Sequence, residues 1–194
     1  MSGIRVRRLD AIDARALDGL CDVLMDCVDG GASVNFLWPM TRAKAERFWN
    51  GVAEGLRHAD RVVIVAEDPE GRIVGTVQAV WAPQENAPHR ADVAKMLVHR
   101  RARRLGVGAA VLAEAERAAL EAGRTLLVLD TASPDAERLY ERGGWQRVGA
   151  IPRYALMPDG AFCSSAVYFK NLPGNDLPGK DLPAEDPHRT GDAA

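Results

Sequence analysis

The sequence predicts a single α/β (α+β) domain built on a mixed, mostly antiparallel central sheet. Its 194 residues suffice for one compact core and are too few for two full-sized domains. Short apolar runs, typical of strands, alternate with segments in which apolar residues recur every three or four positions, typical of helices. Hydrophobic residues make up 47% of the chain and charged residues 27%, which is an ordinary globular composition.

The first half of the chain predicts a strand, two helices and a hairpin. The strand covers residues 4–9, and Asp13 is placed to cap a first helix with apolar residues at helical spacing. After the irregular stretch GGASVNFLWPM, Thr41 announces a second helix. Apolar runs at 62–66 and 73–81, separated by the turn sequence DPEGR, predict the hairpin.

The second half predicts four more strands and two more helices. A basic segment, HRRARRLGVG, leads into a long alanine-rich helix, and a later helix around Tyr140 ends at a pair of glycines. The strands are expected at residues 91–98, 126–129, 146–151 and 164–169.

The chain changes character after residue 171. The segments LPGND, LPGKD and LPAED form a degenerate five-residue repeat without an apolar face. Proline and glycine at this density bury too little surface to offset chain entropy. We therefore predict a domain at residues 1–171 and a disordered, acidic Pro/Gly tail at 172–194.

Charge, hydropathy and cysteine usage exclude several classes of protein. The net charge of −2 argues against a chain that holds nucleic acid by overall charge, and no window reaches the roughly 20 apolar residues of a membrane span. The N-terminal MSGIRVRRLD lacks the apolar core of a signal peptide, so we expect a cytoplasmic protein. Neither a zinc-like spacing nor a disulfide is indicated, and no metal is expected; the expected reduced thiols are Cys21, Cys27 and Cys163.

A glycine-containing segment between the fourth strand and the alanine-rich helix predicts an anion site. Glycines before a helix let backbone N–H groups approach a ligand, and the helix N-terminus adds partial positive charge suited to a pyrophosphate. Residues 90–104 carry six Lys/Arg and one Asp, a net charge of +5 in an acidic chain. The segment consists of Arg103, Arg104, Leu105, Gly106, Val107, Gly108 and Ala109.

Two common phosphate motifs do not fit this segment. A P-loop requires Gly-Lys-Ser/Thr at the helix start, where this chain has Val-Gly-Ala. A dinucleotide-binding fingerprint requires a third glycine and the first strand of a βαβ unit. On the segment alone, a glycine turn beside a solvated basic loop remains an alternative.

The order of two motifs resembles the GCN5-related N-acetyltransferase (GNAT) family. Arg-x-x-Gly-x-Gly follows the fourth strand, and ASPDAERLYERGGW follows about thirty residues later. Arg103, Gly106 and Gly108 match the family's coenzyme A signature, and the segment around Tyr140 matches its A-x-x-L-Y-E-x-x-G-aromatic pattern. The resemblance covers residues 4–172. The segments LVLDTASPDAERLYERGGW, IPRYALMPDG and AVYFKNL look most like tabtoxin-resistance and aminoglycoside-modifying acetyltransferases.

This resemblance implies a fold and a co-substrate. The sheet is expected to splay between its fourth and fifth strands to admit the pantetheine arm of acetyl-CoA, with about four helices flanking it. A backbone N–H among Met96, Leu97 and Val98 would polarise the acetyl carbonyl. Ser133 stands where the family often has asparagine, and its hydroxyl would either cap a helix or contact the cofactor.

Acetyl transfer to an amine calls for a base and for a group that manages the departing thiolate. Tyr140 is the candidate acid, and its alternative role is packing beside Leu139. Asp130 is a candidate base because desolvation at a strand end would raise its pKa, and its alternative role is a turn cap. Asp92 is a second candidate that would otherwise pair with Arg90.

The acceptor site is expected at ASVNFLWP and at the loop after the third strand. Phe36 and Trp38 would form an apolar wall or, alternatively, anchor the core. Glu85 and Asp92 would attract a cationic amine, and Glu85 is a weaker third choice of base.

These observations predict an acetyl-CoA-dependent N-acetyltransferase. Its acceptor would be the primary amine of a small molecule, with tabtoxin-like or aminoglycoside-like antibiotics as candidates. A protein or peptide amine and a non-catalytic acyl-CoA sensor stay open as alternatives, as does a homodimer. A nucleic-acid-binding module using HRRARR is disfavoured, because no interleaved aromatics or second basic surface accompany it.

Overall fold

A computed structural model describes residues 3–173 as one seven-stranded sheet flanked by helices. The strands are β1 (Arg5–Arg8), β2 (Arg61–Glu67), β3 (Ile73–Trp81), β4 (Arg90–Val98), β5 (Leu126–Thr131), β6 (Gln146–Leu156) and β7 (Phe162–Asn171). The helices are α1 (Ala14–Asp29), α2 (Arg42–Arg57), α3 (Val107–Glu121) and α4 (Pro134–Arg142), with a 3₁₀ turn at Arg100–Ala102. None of these helices is long and apolar enough to cross a bilayer.

The strand order β1-β2-β3-β4-β5-β7-β6 is antiparallel throughout except between β4 and β5. These two parallel strands pair only over Arg90–Asp92 and Leu126–Val128. Beyond these three pairs, β4 and β5 do not pair with each other, and the sheet opens into a gap between them. The predicted mixed sheet, its splay and its four helices are confirmed.

Helices cover both faces of the sheet and define two hydrophobic clusters. α3 packs on β1–β4, and its cluster also takes in α4 and the inward residues of β5 and β7, among them Leu127 and Tyr168. α1 and α2 bury the opposite face of β2–β4, around Trp49 and Leu97. The face of β5 that carries Asp130 contributes nothing to either cluster.

Local capping explains where three of the helices begin. Asp13, Thr41 and Ser133 each accept a hydrogen bond from a backbone N–H in the first turn of α1, α2 and α4. α3 differs, because its N-cap is Gly106, which has no side chain to satisfy the first N–H groups.

The last two strands are longer than predicted. β6 is expected to end at residue 151, yet the strand continues to Leu156 through two register shifts. β6 is the outer strand of the sheet, and only one of its edges pairs with another strand, β7. On the unpaired edge, a proline without an N–H and the extra residues of a bulge disrupt no hydrogen bond between strands.

One residue beyond the predicted domain boundary at residue 171 also packs against the core. Leu172 is buried in the α3 cluster, and its N–H donates to the Thr125 carbonyl at 2.7 Å. The predicted tail lies, from Gly174 onward, outside the described residues.

Candidate active site

The gap between β4 and β5 opens toward the C-terminal ends of these two strands. The C-terminal end of β4 leads toward residues 103–109, which are expected to bind coenzyme A and are called the coenzyme loop below. Asp92 is the last β4 residue that pairs with β5. The backbone of β4 from Val93 to Val98, which includes Met96, Leu97 and Val98, therefore faces β5 without strand pairing. Its edge offers backbone N–H and C=O groups to a ligand, in the manner of an unpaired strand edge.

The N-terminus of α3 lies beside this gap and carries no side-chain cap. Gly106 adopts a left-handed φ of 82° with open space around the position of a missing Cβ. Gly108 lies close to β4 and α4, because a Cβ there would be 3.0 Å from Met96 Cε and 3.1 Å from Leu139 Cδ2. The first turn of α3 thus lacks a side-chain cap and lies at a crowded junction of three elements, an arrangement that suits an anion.

Arginines surround this helix start on the solvent side. Arg103 and Arg104 are both exposed, as is Leu105. The Arg103 guanidinium donates to the Val98 carbonyl at 3.3 Å, which places it at the end of β4. Two exposed arginines therefore lie beside the uncapped start of α3.

α1 holds this coenzyme loop in place. The Asp26 carboxylate accepts from both the backbone N–H and the Nε of Arg100, each at 2.8 Å. Burial opposes ionisation of Asp26, but the two hydrogen bonds from Arg100 outweigh it and lower the pKa of the carboxyl. The neighbouring Cys27 thiol donates to the Val98 carbonyl, and burial raises its pKa to about 11, in keeping with a structural thiol.

Tyr140 lies in the wall of the gap formed by α4. Only 4% of the residue is exposed, and its ring packs against Trp145 and Tyr168, with centroids 5.7 and 6.0 Å away. Burial raises the pKa of the Tyr140 phenol above its ordinary value, and the negative charge of Asp130 raises it further. Its hydroxyl forms no hydrogen bond with another residue of the range 3–173, which leaves it available to a ligand.

Tyr168 fixes the position of α4 and hence of Tyr140. The Tyr168 hydroxyl lies 2.9 Å from a carboxylate oxygen of Glu137 and 3.1 Å from one of Glu141. The Trp145 indole donates to Glu116 of α3 at 2.8 Å. α4 is thereby tied to β7 directly and to α3 through Trp145.

Asp130 projects from β5 on the side of the gap opposite β4. The Ser165 hydroxyl donates to its carboxylate at 2.7 Å. The residue is exposed, so the expected burial of this carboxyl is wrong, and its partner is a β7 hydroxyl instead of a turn N–H. Its charge nevertheless acts on both Tyr140 and Lys95.

Asp92 lies where β4 and β5 diverge and is half-buried. Its suggested partner Arg90 instead donates to Gln84 at 3.0 Å. Glu85 is exposed in the loop that precedes β4, at the end where β4 and β5 remain paired. The structure therefore places Asp92 at the apex of the gap and does not bring Glu85 to its open end.

Ser133 and Trp38 have local roles in the structure. The Ser133 hydroxyl accepts from the Ala136 N–H at 3.3 Å, so the capping role is confirmed. Trp38 is 50% exposed and its indole donates to the Val28 carbonyl, which rules out the core-anchor alternative for this residue. Its backbone N–H donates to the Pro158 carbonyl, which joins the α1–α2 loop to the β6–β7 hairpin.

Phe36 packs against a residue that the sequence analysis did not select. The Phe36 and Phe48 rings meet edge to face, with centroids 5.5 Å apart. Together they line a cleft of about 390 Å³ between the α1–α2 loop and α2. The remaining lining residues are Asn35, Leu37, Lys44 and Arg47.

Lys95 is the second residue that the sequence analysis missed. It lies on a bulge of β4 with a left-handed φ of 51°, and its ammonium donates to Asn35 Oδ1 at 3.2 Å. The ammonium also lies 5.5 Å from the centroid of the Phe48 ring. A bulge breaks the alternation of a strand, so no sequence pattern indicated this orientation.

Comparison with known proteins agrees with this architecture. The Acetyltransferase (GNAT) family model matches residues 20–145. A phosphinothricin acetyltransferase from Sinorhizobium meliloti, solved with acetyl-CoA, has a TM-score of 0.74 at 20% identity over 95% of each chain. A ribosomal-protein-alanine N-acetyltransferase from Brucella melitensis has a TM-score of 0.70 at 23% identity, over 87% of this chain and 99% of its own. An N-acetyltransferase from Staphylococcus aureus has a TM-score of 0.74 at 16% identity, over 89% of this chain and 100% of its own.

The chain belongs to the GNAT family of acetyltransferases. The family match includes part of α1, all of α2, residues 103–109 and Tyr140, and the prediction of an N-acetyltransferase is confirmed. These three solved structures are less than 25% identical to this chain, so they establish the fold and leave the acceptor open.

Proposed function

We propose that the protein transfers the acetyl group of acetyl-CoA to the primary amine of a small molecule, with amine antibiotics as candidate acceptors. The observation that carries the proposal is the uncapped start of α3 beside the unpaired edge of β4. The rings of Phe36 and Phe48 line an open cleft that would receive the acceptor.

The residues around the gap fit acetyl-CoA. The backbone N–H groups from Gly106 to Ala109, with Arg103 and Arg104, would hold its phosphates. The unpaired edge of β4 at Met96–Val98 would hold its extended arm and donate to the acetyl oxygen. When bound, acetyl-CoA supplies an acetyl thioester next to Tyr140.

Tyr140 acts in this proposal as a hydrogen-bond donor to the departing sulfur. A phenol whose pKa is raised by burial and by Asp130 stays protonated at neutral pH. An ordinary thiol has a pKa of about 8.5, so complete transfer of the phenolic proton to a thiolate is uphill. The Tyr140 O–H therefore stabilises negative charge on sulfur, and the proton that finally resides there comes from the acceptor amine.

Asp130 and Asp92 are the candidate routes by which the amine loses its proton. Asp130 is accessible, is oriented by Ser165 and lies across the gap from β4. Asp92 is half-buried at the apex of the gap and would act through water. Asp130 is the stronger candidate, because its charge is felt at Tyr140, where the departing sulfur would lie.

The coenzyme assignment is tested with Gly108→Asp. A side chain at this position meets Met96 and Leu139 and adds negative charge to the helix N-terminus. We expect acetyl-CoA affinity, measured by calorimetry, to fall by about 10²-fold or more, since both the dipole and the space for an anion are lost. Gly51→Asp, on an open position of α2, is the matched control and should bind normally.

The transferase reaction itself is tested by thiol release from acetyl-CoA. The acceptor panel contains aminoglycosides, amino-acid-type antibiotics, polyamines and N-terminal peptides. Release with a small amine and none with peptides supports the proposal. Preference for peptides would identify a protein acetyltransferase. Binding of acetyl-CoA without thiol release for any acceptor of the panel would indicate a sensor.

A further inference from the structure

Lys95 is directed out of the sheet by a bulge. β4 pairs Ala94 with Gln78 and Leu97 with Thr76, so Lys95 and Met96 together face a single β3 residue. The left-handed φ of Lys95 is costly for a residue with a Cβ and is maintained by the surrounding fold. Bulges next to binding sites commonly re-aim one side chain, and here the lysine is carried toward α2 and the α1–α2 loop.

The Lys95 ammonium has no anionic partner of its own. It donates to the neutral amide oxygen of Asn35 and approaches the Phe48 ring, and it forms no ion pair with a carboxylate in the described part of the chain. Burial lowers the pKa of Lys95, opposed only by the charge of Asp130 from across the gap. A partly desolvated cation with one neutral acceptor gains free energy when an anion takes the adjacent place.

The cleft next to Lys95 is cationic. Asn35 and Phe48, which contact the lysine, also line this cleft, so the ammonium adjoins it. The charged residues that line the cleft are Lys44, which donates to the Pro39 carbonyl, and the exposed Arg47. No acidic residue lines the cleft, in contrast to the expected attraction of a cationic amine by Glu85 and Asp92.

We propose that Lys95, supported by Arg47, binds a carboxylate on the acceptor, so that the preferred acceptor is an amino acid or an amino-acid-like antibiotic. This inference rests on the proposed function and narrows it. The carboxylate would lie against Lys95 and the apolar part of the acceptor against Phe36 and Phe48, leaving the amine free to reach the gap. Polycationic aminoglycosides are disfavoured, because they bring like charge to a cationic cleft.

The test compares amino acids with their carboxamides, which have the same size and lack the negative charge. Because removal of the carboxylate lowers the pKa of the amine, rates of thiol release are compared per concentration of free amine. We expect kcat/KM for the acid to exceed that for the amide by about tenfold or more. Equal rates, or faster transfer to amides and aminoglycosides, would overturn the proposal.

Variants of Lys95 assign the preference to this residue. Lys95→Gln should reduce the acid-to-amide ratio by about tenfold, mainly through KM for the acid, and Lys95→Arg should retain part of the ratio. Arg57→Gln removes a cation at the other end of α2 and should leave the ratio unchanged. An unaltered ratio in Lys95→Gln would exclude the subsite.

A binding measurement distinguishes a failure of this inference from a failure of the proposed function. If acetyl-CoA binds and no amine is acetylated, the proposed function is contradicted, and the subsite is then tested with N-acetyl-L-methionine and its amide. Chemical shifts of the Lys95 side chain should respond to the acid and not to the amide. Equal responses to both would overturn the subsite regardless of activity.

Discussion

At the scale of single residues, Tyr140 illustrates how one environment serves both packing and chemistry. From the sequence, packing and acid catalysis are alternative roles for Tyr140, and in the structure its ring is buried against Trp145 and Tyr168. The same burial raises the pKa of the phenol, which keeps its proton in place. Packing is therefore a condition for the proposed donor role and not a competitor to it.

Removal of one oxygen tests that role. We expect Tyr140→Phe to lower kcat on the order of 10²-fold with acetyl-CoA affinity close to wild type, because the lost hydrogen bond matters mainly once charge develops on sulfur. Single-turnover measurements should confirm that chemistry limits the rate. Tyr154→Phe removes the same oxygen from a side chain that is half exposed and should have no effect. A Tyr140→Phe enzyme with most of its kcat would reduce Tyr140 to a packing residue.

The two aspartates are distinguished by pH profiles. If Asp130 removes the proton, Asp130→Asn should abolish the acidic limb of the kcat/KM profile, because the rate no longer depends on its ionisation. The kcat/KM profile of Asp92→Asn should then keep its acidic limb. The opposite result would assign the base to Asp92. Retention of the limb in both variants would leave proton removal to solvent.

Sequence reasoning selected residues with a local signal and missed those without one. Gly106, Gly108 and Tyr140 belong to motifs of fixed spacing and were found. Lys95 was missed, because its role depends on a bulge and on Asn35 and Phe48, which lie about 60 and 47 positions earlier in the chain. The exposure of Asp130 was also missed, since the apolar run before it indicated burial that only one face of β5 has.

At the scale of secondary-structure elements, the link between α1 and the 3₁₀ turn is central. Asp26 binds Arg100 through two hydrogen bonds, and Arg100 begins the turn that leads into the coenzyme loop. The loop therefore depends on a helix from the opposite face of the sheet. No spacing rule connects residue 26 to residue 100, so this contact could not be predicted from the sequence.

This link predicts a pH-dependent loss of stability. Asp26→Asn should lower the free energy of unfolding by about 1–3 kcal/mol and weaken acetyl-CoA binding, since hydrogen bonds to a charged group are lost. Because the pKa of Asp26 is lower folded than unfolded, its contribution is complete above about pH 4 and disappears as the pH falls through the folded pKa. Melting curves of wild type and Asp26→Asn should therefore converge in acid.

An exposed carboxylate on the same helix provides the control. Asp22 pairs with Arg42 at the surface, so Asp22→Asn should change stability by less than about 1 kcal/mol at any pH. If the difference in melting temperature between wild type and Asp26→Asn stays constant down to pH 2, the role of the ionised carboxyl is contradicted.

The start of a helix can be predicted from the sequence where a capping side chain is present. Asp13 and Thr41 cap α1 and α2 as predicted, and Ser133 caps α4, because each side chain acts within three residues. Strand ends have no such local signal. β6 continues past Pro152 because it is the outer strand, and its position in the sheet order was not available from the sequence.

At the scale of the whole molecule, the predicted topology holds because the motif order restricts it. The coenzyme loop must follow β4 and Tyr140 must follow β5, and both then meet at the gap between these strands. Leu172, one residue beyond the predicted end of the domain, still belongs to the core. An isolated leucine before a Pro/Gly repeat gives no indication of burial.

Two shortened chains test this boundary. A chain that ends at Pro173 should keep its melting temperature within a few degrees and its turnover, because it retains every described contact. A chain that ends at Asn171 should lose about 1.5–3 kcal/mol, the contribution of one buried leucine. A large loss in the longer chain would show that the repeat docks on the domain.

The three residue pairs that join β4 to β5 also bear on the energetics of the enzyme. In the described residues, the four-stranded part of the sheet pairs with the three-stranded part only at these positions, and β4 and β5 are unpaired along the rest of their length. A co-substrate lying in the gap would complete the boundary between these two parts much as an eighth strand would. Part of its binding free energy would then appear as cohesion of the folded chain, and the substrate-free enzyme would be the looser of its two states.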